Sequence, residues 1–211
     1  MKNPRRLGWR TLCVLAVGLV ASWGVVGTVA QGSDKSTSFS MVRSAAAVAA
    51  NCVKGAEAHV RIVSNGPTET MTVKVEDLPA NTDFDFFVIQ VPNAPFGLSW
   101  YQGDIQTDRN GNGTGQFIGR FSIETFIVAP GAAPAPVVHD DQPFPDANMN
   151  PAIPNPVHTF HLGLWFNSPR DAAMAGCANT VTPFNGTHDA GVQVLSTRNF
   201  ADAKGPLSRI S

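Results

Sequence analysis

Residues 71–76 read Met-Thr-Val-Lys-Val-Glu, and this strict alternation of apolar and polar side chains decides the fold class. Successive side chains of a β-strand point to opposite faces, so the segment predicts a strand with one buried and one solvent-exposed face. Residues 84–91 read Phe-Asp-Phe-Phe-Val-Ile-Gln-Val and are more continuously apolar, which predicts a central strand. Together the two segments favour antiparallel β-structure.

Turn residues separate further strand-like segments on both sides of this pair. Clusters of Asn, Gly, Pro and Asp end each segment, and the segments recur at a spacing typical of sandwiches and barrels. We predict the additional strands at residues 59–63, 98–107, 116–128, 157–166 and 193–197. The chain is therefore predicted to be all-β, with an immunoglobulin-like or related antiparallel β-sandwich.

One short helix and one long loop interrupt this pattern. Ser168 can cap a helix that begins at Pro169, and Gly176 can end it. Residues 130–156 contain eight of the sixteen prolines of the chain. Because proline lacks the backbone N–H that a strand ladder needs, these residues predict a long proline-rich loop.

The first thirty residues have the layout of a secretory signal peptide. A basic head is followed by an uncharged run, residues 12–30, that ends in the small-x-small site Thr28-Val29-Ala30. Cleavage predicts a secreted, extracellular protein. The alternative is an uncleaved N-terminal anchor that holds the protein at the cell envelope, since a membrane span needs about 20 apolar residues.

The chain is predicted to have four parts. We predict a signal peptide at residues 1–30, a low-complexity linker at 31–52, a β-sandwich domain at 53–200 and a polar tail at 201–211. Removal of the first part takes away four of the fifteen basic residues and no acidic residue, so the net charge changes from -1 to -5. An acidic chain without a basic cluster argues against nucleic acid and against anionic membrane surfaces as partners.

Two cysteines remain after the first thirty residues, Cys52 and Cys177. In an oxidising compartment a lone pair most simply forms one disulfide. The alternative is two buried thiols or a thiolate site, and no Cys-x-x-Cys pattern supports it.

The segment Asp108-x-Asn110-x-Asn112-Gly113 copies the first half of a calcium-binding loop. The twelfth position, where a bidentate glutamate belongs, is Gly119. A tight turn between two strands explains the same residues, since Asn and Gly tolerate positive φ. The turn is therefore the first interpretation of this segment. The second is a metal site with Asp108, Asn110 and Asn112 as candidate ligands.

An extracellular hydrolase is the enzyme alternative, with a site near the 130–156 loop. It would draw on the following side chains: His139, Asp140, His158, His161 and His188. His158 and His161 are three residues apart on a predicted strand, so they point to opposite faces and would not share a metal.

Two further groups have a functional and a structural interpretation. Two of the carboxylates Asp83, Asp85 and Glu124 could act as a pair in glycoside cleavage, but a polar strand face predicts the same residues. An exposed Trp100 or Tyr101 could bind carbohydrate, but core packing is the usual role of such rings.

Four stretches resemble uncharacterised secreted bacterial proteins with a β-sandwich-like chain. They are residues 84–92, 97–104, 119–122 and 161–169, and the resemblance covers most of residues 70–200. It implies a secreted β-domain and transfers no functional residue. The turn at residues 107–113 also resembles hairpins of bacterial immunoglobulin-like domains.

From these features we predict a secreted or envelope-associated, non-enzymatic β-sandwich module with a binding or structural role and no cofactor. Its partner would be an extracellular protein or glycan. Neither a complete catalytic motif nor a phosphate-binding loop occurs in the sequence. The alternatives are the hydrolase and a weak calcium-binding module.

Overall fold

The computed structural model describes residues 36–122, 125–127, 156–183 and 187–210. All of them belong to one compact unit, Gly32–Ser211. The predicted signal peptide, most of the proline-rich loop, Glu124, His139 and Asp140 lie outside the described residues. In the described ranges, no helix is long and apolar enough to cross a membrane.

The described chain contains ten strands and two short α-helices. In chain order they are β1 (Ser36–Arg43), α1 (Ala45–Ala49), β2 (Glu57–Ser64), β3 (Glu69–Glu76), β4 (Asp83–Ile89), β5 (Ser99–Gln106), β6 (Gly113–Gly119), β7 (Thr125–Ile127), β8 (Pro156–His158), β9 (His161–Phe166), α2 (Pro169–Met174) and β10 (Gln193–Ser196). The all-β prediction is thus confirmed.

Eight of these strands form a single antiparallel sheet in the order β5-β4-β9-β10-β1-β2-β3-β6. The two end strands, β5 and β6, lie side by side and are joined by the bridge between Thr107 and Gly113. The sheet is therefore nearly closed and barrel-like, whereas the sequence predicts two separate sheets. β7 and β8 form a small second sheet.

The main core lies between the walls of this barrel-like sheet. Its largest side chains include Met41, Ile62, Met71, Phe84, Phe86, Ile105, Leu162 and Phe166, all almost completely buried. The ring of Phe117 on β6 stacks on Phe86 of β4, with centroids 4.9 Å apart. The alternating pattern of β3 and the apolar run of β4 thus meet in one core, as the strand periodicity requires.

The predicted linker is wrong for residues 36–49. β1 lies between β2 and β10, and its alternating Phe39 and Met41 are buried. α1 follows, with Ala47 buried and its N-terminus capped by Ser44. The apolar alternation of β1 is only two residues long among serines, which is why the composition suggests a linker.

The predicted polar tail also contains a packed segment. Two 3-10 helices, Asp202–Lys204 and Pro206–Arg209, end the described chain. Leu207 and Ile210 are buried in the main core, and the Leu207 N–H donates to the carbonyl of Phe160 at 3.2 Å. These residues therefore belong to the domain.

Two of the predicted strands are each divided in the structure. Residues 116–128 supply the end of β6 and, separately, β7, while residues 157–166 supply β8 and β9. The predicted helix is confirmed as α2, with Ser168 as its N-cap and proline in its first turn.

Both α-helices lie at the same end of the barrel. β1 and β9 are both antiparallel to β10, so they run in the same direction, and each is followed directly by a helix. Cys52 follows α1 and Cys177 follows α2, and the two form a disulfide with Cα atoms 5.2 Å apart. The predicted pairing is confirmed, and it fastens the two helices to each other.

Candidate functional site

The hairpin between β5 and β6 is built around the carboxylate of Asp108. Its Oδ1 accepts from the backbone N–H of Asn110 at 2.8 Å and of Asn112 at 2.9 Å. The Asp108 N–H donates to the Asn112 carbonyl at 2.7 Å, and the Gly111 N–H donates to the Asp108 carbonyl at 3.0 Å. An aspartate that bonds the amides ahead of it is a typical turn-former, so the predicted tight turn is present.

A neighbouring loop holds this turn in place. The Asn81 N–H donates to the Asp108 carbonyl at 3.0 Å, and the Leu78 N–H donates to the Gly111 carbonyl at 3.1 Å. Gly111 has φ of 80°, and a Cβ there would lie 2.1 Å from the Leu78 carbonyl oxygen. Only glycine fits that position, so a substitution there would disturb the contact between the turn and the loop.

Thr107 adds a third connection between the same loop and the hairpin. Its buried hydroxyl donates to the Pro79 carbonyl at 2.6 Å and accepts from the Thr82 N–H at 3.0 Å. The hairpin is therefore fixed to the barrel by hydrogen bonds on both sides of Asp108.

The turn's amides lower the pKa of the Asp108 carboxyl below its ordinary value. The largest cause is the hydrogen bond from the Asn112 backbone, followed by that from the Asn110 backbone. Donors that bond the ionised carboxylate favour that form, so Asp108 carries its negative charge at neutral and mildly acidic pH.

A polar groove of about 560 Å³ lies beside this hairpin, on the outer side of β3, β5 and β6. Its floor includes Val75, Thr107 and Gly113, and Val75 pairs with Gly113 in the strand ladder. Six exposed side chains surround the floor: Lys74, Glu76, Gln106, Asp108, Asn112 and Thr114. We call this region the hairpin groove.

The hairpin groove combines predicted and unpredicted residues. Asp108 and Asn112 were candidate ligands from the sequence alone. Lys74 and Thr114 meet only because β3 pairs with β6 in the register that places them opposite each other. The alternation of residues 71–76 indicates that Lys74 faces solvent, but no sequence signal indicates its neighbour.

The calcium prediction has no completed ligand set in the structure. Asp108 Oδ1 is engaged by the turn's own amides. Within the described ranges, no group of three or more His, Cys, Asp or Glu side chains could hold a metal ion. The calcium site therefore stays a prediction.

His161, a candidate for the hydrolase, has a structural role. It is fully buried, and its Nε2 donates to the Asp202 carbonyl at 2.9 Å, because a carbonyl only accepts. Its Nδ1 is 2.9 Å from the Thr197 hydroxyl. With both ring nitrogens engaged, His161 links β9 to the C-terminal segment and has none available for a substrate or a metal.

The other two described histidines of the hydrolase prediction lie in different surroundings. His158 is buried with its ring 4.9 Å from that of Phe160, and His188 is exposed with Nδ1 3.4 Å from the Pro183 carbonyl. The remaining hydrolase candidates, His139 and Asp140, lie outside the described residues.

The predicted carboxylate pair occupies two different environments. Asp83 is exposed at the start of β4, whereas Asp85 is buried between Asp104 of β5 and Trp165 of β9 in the strand register. Asp104 Oδ1 accepts from the Tyr101 hydroxyl at 2.5 Å.

Trp100 and Tyr101 are both exposed to solvent, at 55% and 44%. In the register of β4 and β5, Trp100 lies opposite Val88 and Tyr101 lies opposite Phe87. Neighbouring strand residues point to opposite faces, so the two rings lie on different surfaces of β5. Tyr101 packs edge-on against Phe87, with centroids 5.5 Å apart.

No protein-family model matches the chain, and no curated protein is significantly similar to it. The functional assignment therefore depends on the residues described above.

Proposed function

We propose that the chain is a secreted, non-enzymatic binding module that recognises an extracellular partner through the hairpin groove. The signal-peptide pattern of residues 1–30 supports export. The Cys52–Cys177 disulfide supports an oxidising compartment, where such bonds persist.

The observation that carries the proposal is the fixed geometry of the groove. Three segments of chain present six exposed polar side chains around one floor. The hydrogen bonds of Asp108 and Thr107 hold the turn before any partner arrives. A site that is already ordered loses less conformational entropy on binding, and this favours a recognition role.

The chemistry of the described residues favours binding over catalysis. A general base needs a free lone pair near its substrate, and both ring nitrogens of His161 are engaged. Asp108, the most strongly hydrogen-bonded carboxylate of the groove, has its pKa lowered, which makes it a poor proton acceptor at neutral pH.

We also propose that the barrel-like sheet is a flattened sandwich of the immunoglobulin-like kind. β1 pairs with β2 over residues 36–41 but with β10 only over residues 42–43. A strand that changes partners in this way divides the structure into two sheets that face each other across the core.

Binding of the fluorescently labelled full chain to the surface of the producing cells tests the binding role. We expect saturable binding that the double variant Gln106→Ala, Asn112→Ala abolishes. The matched control is Gln116→Ala, which removes an exposed amide of β6 outside the groove. Equal binding by all three proteins, or no binding by any, would overturn the proposed role of the groove.

A further inference from the structure

We infer, on the basis of the proposed function, that the hairpin groove takes an uncharged glycan. Each sugar hydroxyl both donates and accepts a hydrogen bond, so a glycan site needs both kinds of group close together. The groove has acceptors in Glu76 and Asp108 and a donor in Lys74.

Its remaining three side chains do both. Gln106 and Asn112 each carry an amide oxygen and an amide nitrogen, and Thr114 carries a hydroxyl. Every exposed side chain around the floor therefore offers a hydrogen bond to a hydroxyl-rich ligand. A lipid would find no large apolar wall among these six residues.

The mixture of charges argues against a charged ligand. An anionic sugar or a phosphate would face the carboxylates of Glu76 and Asp108, while a metal ion or an amine would face the ammonium group of Lys74. Because charges of both signs border the same space, a neutral ligand avoids the like-charge repulsion that either kind of ion meets.

The backbone beneath the groove argues against an extended peptide. A peptide that adds to a sheet needs an unpaired strand edge. Here Val75 and Lys74 of β3 are paired with Gly113 and Thr114 of β6, and the bridge between Thr107 and Gly113 joins the other edge of β6 to the end of β5. The floor therefore leaves recognition to side chains, as a glycan site requires.

The size of the groove fits a short stretch of a sugar chain. Its volume of about 560 Å³ falls within the range of about 300–1,000 Å³ that small-molecule sites span. No aromatic ring is among the residues that line it, so the hydrogen bonds act without ring stacking and we expect weak, rapidly reversible binding.

Treatment of the target cells separates a glycan from a protein partner. Periodate cleaves the vicinal diols of sugars, and a protease removes surface proteins. We expect binding of the full chain to survive protease and to be lost after periodate. Loss after protease and survival after periodate would overturn the glycan inference, yet the groove-dependent binding would still support the proposed function.

Solution titrations then test the charge and the residues. Neutral hexasaccharides of glucan, mannan, xylan and chitin are added to the full chain, with trigalacturonate and calcium chloride as charged probes. We expect at least one neutral chain to shift the amide resonances of the hairpin, with an affinity that added salt leaves unchanged. A response to the charged probes alone would contradict the inference.

Single variants complete the test. Gln106→Ala and Asn112→Ala should each weaken binding of that neutral chain about fivefold, the change that one neutral hydrogen bond supports. Gln116→Ala should leave the affinity unchanged. Equal affinity of all variants would show that the sugar binds elsewhere and would overturn the inference.

Discussion

The two halves of the barrel-like sheet differ in how many of their faces are buried. In the half formed by β1, β2, β3 and β6, buried and exposed residues alternate, as in Lys74 and Glu76 beside Val73 and Val75. We call it the polar half. In β9 and β10 every residue is buried, and in β4 only Asp83 is exposed. We call these three strands the buried half.

A second aromatic cluster explains the buried half. Phe87, Ile89 and Trp165 pack together on the face of β4 and β9 that points away from the main core. Phe96 covers Trp165, with ring centroids 5.1 Å apart. The same sheet thus has one half that supplies two layers of packing and another whose outer face is available for recognition.

The largest expected effect is the loss of Trp165. Trp165→Ala removes a fully buried ring that contacts both Phe87 and Phe96, so it should reduce the free energy of unfolding by about 3–5 kcal/mol. Urea denaturation measures it. The matched change in the polar half, Ile118→Ala, removes a side chain that is 71% exposed and should cost less than about 0.5 kcal/mol. Similar losses in the two variants would abolish the distinction between the halves.

The next largest effect concerns the bond that joins the ends of the two halves. Cys52 follows β1 and α1, and Cys177 follows β9 and α2, with a sequence separation of 125 residues. Replacing both cysteines with alanine should reduce stability by about 2–4 kcal/mol, because the closed loop restricts the unfolded chain.

Thermal unfolding of the double alanine variant beside the oxidised protein measures this effect. The reduced protein is the control, since it lacks the bond but keeps both cysteine side chains. Unfolding temperatures of the variant and the reduced protein should agree. A variant as stable as the oxidised protein would mean that the halves are held together without the bond.

The pattern of each half decides how much of it the sequence predicts. Alternation in residues 71–76 predicts a half-exposed strand, and the apolar run of residues 84–91 predicts a strand buried on both sides. Both predictions are confirmed. The turn at residues 108–113 could also be predicted from the sequence, because Asp, Asn and Gly each favour it for a local reason.

What the sequence does not reveal depends on contacts between distant segments. β1 has only Phe39 and Met41 as its apolar signal, and its place between β2 and β10 comes from the tertiary fold. The hairpin groove needs the pairing of Lys74 with Thr114, which is a matter of register. Likewise, the bonds of His161 to Thr197 and Asp202 span more than thirty residues, so its structural role could not be predicted locally.

The two serines that cap the helices should differ in how much they stabilise the protein, and this effect is smaller. Ser44 at the end of β1 accepts from the Ala47 N–H and donates to the Gln193 carbonyl of β10 at 2.6 Å. Ser168 caps α2 and bonds only Asp171, three residues away. Both serines use their hydroxyl twice, but only Ser44 connects the polar half to the buried half.

Ser44→Ala should therefore cost about 2–3 kcal/mol, because it removes the cap and leaves a buried carbonyl without its donor. Ser168→Ala should cost about 1 kcal/mol, the usual value for a cap. Chemical denaturation of the two variants side by side measures the difference. If Ser168→Ala proved the more damaging, the contact between Ser44 and Gln193 would not contribute to holding the halves together.

The smallest effect is expected at Tyr101, which lies on edge strand β5 beside the buried half and is the single tyrosine of the chain. Burial raises its pKa well above the ordinary value of 10.0, and the hydrogen bond to Asp104 and the charges of Asp104 and Asp85 add to the rise. A raised folded-state pKa means that the stabilisation is present below the unfolded-state value and is lost as pH increases through the folded-state value. Tyrosinate absorbance should thus appear only at strongly alkaline pH, together with a gradual loss of stability.

Tyr101→Phe is the control for this titration, since it keeps the ring against Phe87 and removes the ionisable group. The stability of the variant should fall less at alkaline pH, because it has no phenol to ionise. At neutral pH its stability should change little, because the side chain is 44% exposed. Asp104→Asn should move the tyrosinate absorbance to lower pH, because it removes one of the negative charges that oppose ionisation. A Tyr101 pKa near the ordinary value would mean that its ring is not packed against the second aromatic cluster. The outer face of β5 would then be exposed, like that of the polar half.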